Sequence, residues 1–317
     1  MTTAPLRPAA SRRPRFRRHD PEPIRLMPDD IDVLRHLHKH RFLRSTHLVR
    51  LMNRPPKKLI ERLGALYHNA YVDRPRAQLD YYATAGSAPM VYALGNRGAA
   101  VLADVDGMAM PSVDWTDKNR TAHRPFIEHA LLISDLLVSL EVAVRRRSDI
   151  VLLSRADILA RAPGAMQSAK NPWKISARVA VDGILRDAAV VPDAVFGLDF
   201  TAERRRTYFF YEADRGTMPV TRKPTSSRTA FARKLAVYWH AHQAKLHTAR
   251  FGIGNFRVLT VAKSRARIAS MIDAAKEVTG GGGSNLFLFT DQSSLAKSLD
   301  VLALEWLSAK GEDVSLG

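Results

Sequence analysis

Along residues 27–43, MPDDIDVLRHLHKHRFL, apolar side chains return at helical spacing, with Ile31, Leu34, Leu37 and His38 on one face. Pro28, Asp29 and Asp30 open that helix, where negative charge suits the positive end of the helix dipole. Ser45 or Thr46 caps a second short helix, THLVRLMN, which Asn53-Arg54-Pro55 ends. Pro55-Pro56 starts a third, KKLIERLGALYHNAY, with Leu59, Leu63, Leu66 and Tyr67 inward. AYVDRP and PMVYAL then read as two short strands around the loop RAQLDYYATAGSA, and NRGAAVLADV resumes as a helix.

Helix, short helix, helix, hairpin is the order of a winged helix-turn-helix, here over residues 27–106. A polar, turn-rich linker at 107–121 leads into a second domain, 122–317. That domain opens with FIEHALLISDLLVSLEVAVRRR, a helix apolar on most sides and therefore due for deep burial against a sheet. Four strand patterns follow: DIVLLS, KISARVAVDGIL, DAAVVPDAVFGLDF and RTYFFYEADRG. The charged turn TAERRR joins the last two as a hairpin. Helix, strand, helix and strand come next, and QSSLAKSLDVLALEWLSA reads as a closing helix. The expected class is α+β or α/β, a winged module followed by a mixed sheet flanked by helices.

Charge narrows the range of partners. The chain has 317 residues with 49 Lys and Arg against 31 Asp and Glu, a net charge of +18. Such an excess favours a polyanionic partner, and double-stranded DNA leads because each neutralised phosphate releases counterions. No apolar run is long enough to span a membrane, and there is no lipidation motif. With no cysteine, disulfides and thiolate zinc sites are excluded and the reducing cytoplasm is the expected home.

The first 26 residues read as a disordered basic arm, with Arg12, Arg13, Arg15, Arg17 and Arg18 set to lie along phosphates. In the winged module, Lys57, Lys58 and Arg62 fall near the start and outer face of the third helix, where a recognition helix meets the major groove. Arg74 and Arg76 lie at the wing, in reach of backbone phosphates. A solvated basic face on a protein-binding bundle is the plainer alternative. The pairs His36/His38 and His240/His242 match the spacing of a metal chelate only on a strand. Both fall in helical patterns, where residues i and i+2 diverge, so neither is a metal site.

The second domain carries the candidate chemistry. The order α-β-β-β-β-α-β-α-β-α is that of restriction-endonuclease-like folds, whose motif is Pro-Asp on one strand and Glu-x-Lys on the next. Pro192-Asp193 supplies the first half, and Glu212-Ala213-Asp214 supplies the second with Asp in the lysine position. Strand alternation puts Phe210, Glu212 and Asp214 on one face, and a hairpin brings Asp193 beside Glu212. With Glu128 from the long helix, these carboxylates are the hard-oxygen set that Mg²⁺ or Mn²⁺ takes, and no other cofactor is expected. Lys234, or Lys223 from the preceding loop, stands in for the missing lysine as charge stabiliser. A plain strand-end pairing of Asp214 with Arg215 is the structural alternative.

The stretches MPDDIDVLRHLHKHRFLRSTHLVRLM, PMVYALGNRGAAVLA, EHALLISDLLVSLE, PDAVFGL, YFFYEADRGT and FARKLAVYWHAH, over roughly residues 25–265, resemble in order the replication-relaxation family of plasmids and mobile elements. The most specific run is Glu212 to Thr217. The resemblance implies a winged helix joined to a nuclease-like domain, with Asp at the lysine position usual. It also implies work in the replication, relaxation or mobilisation of mobile-element DNA beside other DNA-processing proteins. Three readings follow: DNA binding with the second domain kept for grip or for a homodimer, metal-dependent nicking by Asp193, Glu212 and Lys234, and winged-helix transcriptional regulation.

Overall fold

The computed structural model describes residues 15–78, 88–107, 113–181, 184–218, 220 and 231–317. The chain is mixed α+β and divides into two compact units, Met1–Ala130 and Leu131–Gly317.

The first unit contains α1 (Pro28–His40), β1 (Leu43–Arg44), α2 (Ser45–Met52), α3 (Pro56–His68), β2 (Val72–Asp73), β3 (Val91–Leu94), α4 (Asn96–Asp106) and α5 (Trp115–Thr121). Pro28 at the first turn and the Asp30 carboxylate, which accepts from the Met27 amide at 2.7 Å, start α1 as expected. Its buried stripe is Val33, Leu34 and Leu37, so the apolar face is turned slightly from the expected one on Ile31 and His38. In α3, Leu59, Leu63, Leu66 and Tyr67 are all buried, as their spacing requires. The strands form a small antiparallel sheet in the order β1-β3-β2, with Leu43 opposite Tyr92 and Val72 opposite Leu94. Gly98 lets α4 approach the backbone here, because a Cβ at that position would lie 2.2 Å from the Tyr71 carbonyl oxygen. Within residues 107–121, expected as a linker, α5 buries Asn119, whose amide donates to Asp73 at 2.9 Å and to the Leu94 carbonyl at 2.8 Å.

The long helix α6 (Arg124–Val144) precedes β4 (Ile150–Leu153), α7 (Arg155–Ala160), α8 (Gly164–Gln167), β5 (Ile175–Val181), β6 (Ile184–Val190), β7 (Ala194–Phe200) and β8 (Arg205–Ala213). Then come α9 (Phe231–Gln243), α10 (Leu246–Phe251), β9 (Arg257–Ala262), α11 (Arg265–Val278), β10 (Phe287–Asp291), α12 (Gln292–Lys297), β11 (Trp306–Ser308) and β12 (Asp313–Val314). Seven strands make one sheet in the order β12-β11-β10-β9-β8-β7-β4. β9 is parallel to both β8 and β10, reached through helical crossovers, and the remaining pairs are antiparallel. Alternation along β8 splits the core as expected. Phe210 faces the layer of α9 and α11 with Val195, Val258 and Phe289. Phe209, Tyr211 and Ala213 face the layer containing Leu132, Leu136 and Leu140 of α6. Phe196 and Phe209, cross-strand partners, stack with centroids 5.0 Å apart.

Two expectations are corrected. DAAVVPDAVFGLDF is not one strand: β6 ends at Val190 and β7 begins at Ala194, with Pro192 between them. Proline has no amide to give a ladder, so the chain breaks there, and β6 pairs with β5 as a separate two-stranded sheet. The closing segment is not one helix either. α12 stops at Lys297, and Trp306–Ser308 instead pairs with the edge of β10. Unmet hydrogen bonds along that edge, and burial of Trp306, outweigh a helical pattern whose first turn is capped by Asp291. The glycine run at 280–283 is a close turn with φ of 79°, 98° and 67° at Gly280, Gly281 and Gly283. Among the described residues no helix is long and apolar enough to cross a membrane.

Candidate functional site

The break at Pro192 places Asp193 at the mouth of β7. Its amide donates to the Tyr211 carbonyl at 2.9 Å, and its Oδ2 accepts from the Ala213 amide at 2.8 Å. The side chain thus extends the β7–β8 ladder by one step, and the register that pairs Ala194 with Tyr211 sets Asp193 across from Glu212. The sequence-predicted pair is brought together.

Glu212 is 1% exposed. Alternation on β8 turns it toward α9, where Lys234 and Tyr238 are four residues apart and share a helix face. Lys234 Nζ donates to Glu212 Oε2 at 2.5 Å, and the Tyr238 hydroxyl donates to Oε1 at 2.5 Å. Burial pushes the Glu212 carboxyl up to about 7; the Lys234 ammonium pulls against that shift and the Asp193 charge adds to it. Burial also works against the Lys234 charge, but Glu212 and Asp193 outweigh it and hold the ammonium above its ordinary range. Lys223 lies outside the described residues.

Asp214, one residue past the end of β8, faces the same helical layer but meets α11. Its carboxylate makes a two-pronged pair with Arg267 of α11, one contact measuring 2.8 Å from Nη2 to Oδ1, and accepts from the Gly216 amide at 3.1 Å. Arg267 also donates to the Met218 carbonyl, so one guanidinium ties the turn after β8 to α11. Glu128 belongs to the first unit, where it pairs with Arg124 at 2.7 Å on the exposed first turn of α6. His36 and His38 lie on α1 and His240 and His242 on α9, helices in all four cases.

Tyr238 and Arg267 carry no motif, although Tyr238 is legible as the i+4 neighbour of Lys234. The donor set around the carboxylates does not fit a divalent cation as it stands. Both oxygens of Glu212 and both of Asp214 already accept from cationic or hydroxyl donors, so neither presents an open edge.

The basic residues of the first unit fall into two groups. Arg62 donates to buried Asp30 at 2.5 and 2.8 Å and to the Arg25 carbonyl at 2.7 Å. Arg74 stacks over Tyr67 and Tyr92, 4.2 and 5.3 Å from the ring centres, and donates to the Arg15 carbonyl at 2.8 Å. Arg18 donates to the Tyr67 and Val72 carbonyls and pairs with buried Asp73. These three brace the unit from within. Lys57 and Lys58 in the first turn of α3, Arg76 after β2, and Arg15 and Arg17 at the start of the described chain are exposed. Arg12 and Arg13 lie outside the described residues.

A family model described as Replication-relaxation matches residues 34–255, more than half of the chain. No curated protein and no solved structure matches.

Proposed function

Since the chain belongs to the replication-relaxation family, we propose that it binds double-stranded DNA of a plasmid or other mobile element during replication or relaxation. In this reading the first unit is a winged helix. Its small sheet has the order β1-β3-β2, the hairpin β2–β3 is the wing, and α3 is the helix offered to the major groove. The observation that carries the reading is the exposure of Lys57 and Lys58 side by side on the first turn of α3, in a chain of net charge +18. Arg76, Arg15 and Arg17, with Arg12 and Arg13, extend phosphate contact from the wing and the arm.

The second unit is read as a restriction-endonuclease-like sheet that keeps Asp193 and Glu212 at the expected edge but closes them with Lys234, Tyr238 and a separate Asp214–Arg267 pair. A carboxylate cluster neutralised in this way supports grip and architecture. The pairing of Lys234 with Glu212 is nevertheless the observation that favours a nicking enzyme as second reading, because a migrated lysine would sit there. In that reading Mg²⁺ or Mn²⁺ would have to displace Lys234 from Glu212.

Gel retardation of a duplex by the full chain in chelator tests the first reading. Lys57→Ala/Lys58→Ala should weaken binding several-fold, and unchanged retardation would remove α3 from the interface. Supercoiled plasmid with Mg²⁺ or Mn²⁺ tests the second: metal-dependent nicking that disappears in Asp193→Ala/Glu212→Ala would establish it.

A further inference from the structure

Strands β5 and β6 stand apart from the large sheet, and their two faces differ. Ile175, Val179, Ala188 and Val190 turn inward to the core beside α9. Ser176, Arg178, Asp187 and Ala189 turn outward, with Ser176 opposite Ala189 and Arg178 opposite Asp187. The outer face opens on a concavity of about 470 Å³ in which Lys174, Arg178 and Arg233 surround the single carboxylate of Asp187. Arg186 is exposed too, but it stands opposite Val179 and so belongs to the other face of the hairpin. The Arg178–Asp187 pair is 3.6 Å apart with side chains 73% and 92% exposed, so it holds Arg178 weakly.

This face is joined to the carboxylate edge by both of its elements. Arg233 of α9 donates to the Asp187 carbonyl at 2.5 Å, and the next residue, Lys234, holds Glu212. β6 ends at Val190, three residues before Asp193. A chain lying on the hairpin would therefore run toward Asp193 and Glu212. A surplus of exposed cations beside small side chains, with Ser176 as a further donor, suits the regularly spaced phosphates of a nucleic-acid backbone.

We propose that the outer face of the β5–β6 hairpin, with Lys174 and Arg178 and with Arg233 at its base, is a second duplex-DNA contact that seats the phosphate backbone beside the Asp193–Glu212 edge. The inference rests on the DNA-binding reading above and adds a binding surface on the second unit.

The test is fluorescence anisotropy of a short labelled duplex with the full chain across a salt series. Lys174→Ala/Arg178→Ala should lower affinity and reduce the slope of log K against log salt by about 2, close to one for each phosphate no longer neutralised. Asp187→Asn should tighten binding two- to threefold at low salt, a gain that misfolding does not mimic. Wild-type binding with an unchanged slope in the double variant, or no gain in Asp187→Asn, overturns this inference alone. A wild-type chain that does not bind the duplex overturns the DNA-binding reading and this inference with it.

Discussion

Lys234 and Glu212 meet at 2.5 Å because one turn of α9 crosses β8 where alternation has already turned the glutamate inward. The pair is asymmetric. Glu212 is 2% exposed and Lys234 is 29% exposed at their side chains, so solvent reaches the cation and not the acid.

Removing the cation should therefore cost more than removing both charges. Lys234→Met leaves a buried carboxylate that still accepts from the Tyr238 hydroxyl but has no countercharge, and should destabilise the second unit by about 2–4 kcal/mol. Glu212→Gln/Lys234→Met should recover much of that loss. Urea denaturation of the single and double variants, combined as a double-mutant cycle, measures it.

The same pair predicts a pH dependence. Glu212 has its carboxyl raised from 4.5 to about 7 by burial, so the folded state binds its proton more tightly than the unfolded chain does. Stability from this group is fully present below pH 4.5 and is lost as pH rises through about 7. Relative to Glu212→Gln, the wild type should lose on the order of 2–3 kcal/mol across that window. Melting temperatures of the two proteins in chelator between these pH values check the sign. A wild type that gains on the variant as pH rises contradicts it.

Asp214 is predicted to act through Arg267. Arg267→Ala should destabilise the second unit by about 3 kcal/mol, since it leaves a 7% exposed carboxylate without its two-pronged partner and frees the Met218 carbonyl. Asp214→Asn should cost less, because the amide can still accept from Arg267. Thermal denaturation ranks the two, and the opposite ranking would sink the assignment.

In the first unit, Arg62→Ala should lower both DNA affinity and stability, the latter by about 2 kcal/mol, because Asp30 beneath it is 2% exposed. Lys57→Ala/Lys58→Ala should lower affinity with no measurable loss of stability. Calorimetry beside the binding assay separates the two classes.

Much of this arrangement was legible in the residues, for reasons that differ by element. The inward face of α3 followed from helical spacing, and the two-faced character of β8 followed from alternation, since both depend on local periodicity alone. The juxtaposition of Asp193 with Glu212 needed only a hairpin between β7 and β8. The fate of the charges was not legible in the same way. Arg62 reads as an outer-face cation of α3, and only tertiary packing shows that Asp30 of α1 reaches it. Arg267 lies 53 positions from Asp214, and no local pattern links them. The closing segment misled because its apolar spacing suits a helix, while the open edge of β10 takes Trp306–Ser308 as a strand.

The most direct measurement is the affinity of the full chain for a short duplex, in chelator, as salt is raised. Tight binding at low salt is expected, with a linear fall of log K with log salt that Lys57→Ala/Lys58→Ala makes shallower. No binding at low salt, or binding indifferent to both salt and these lysines, would contradict it.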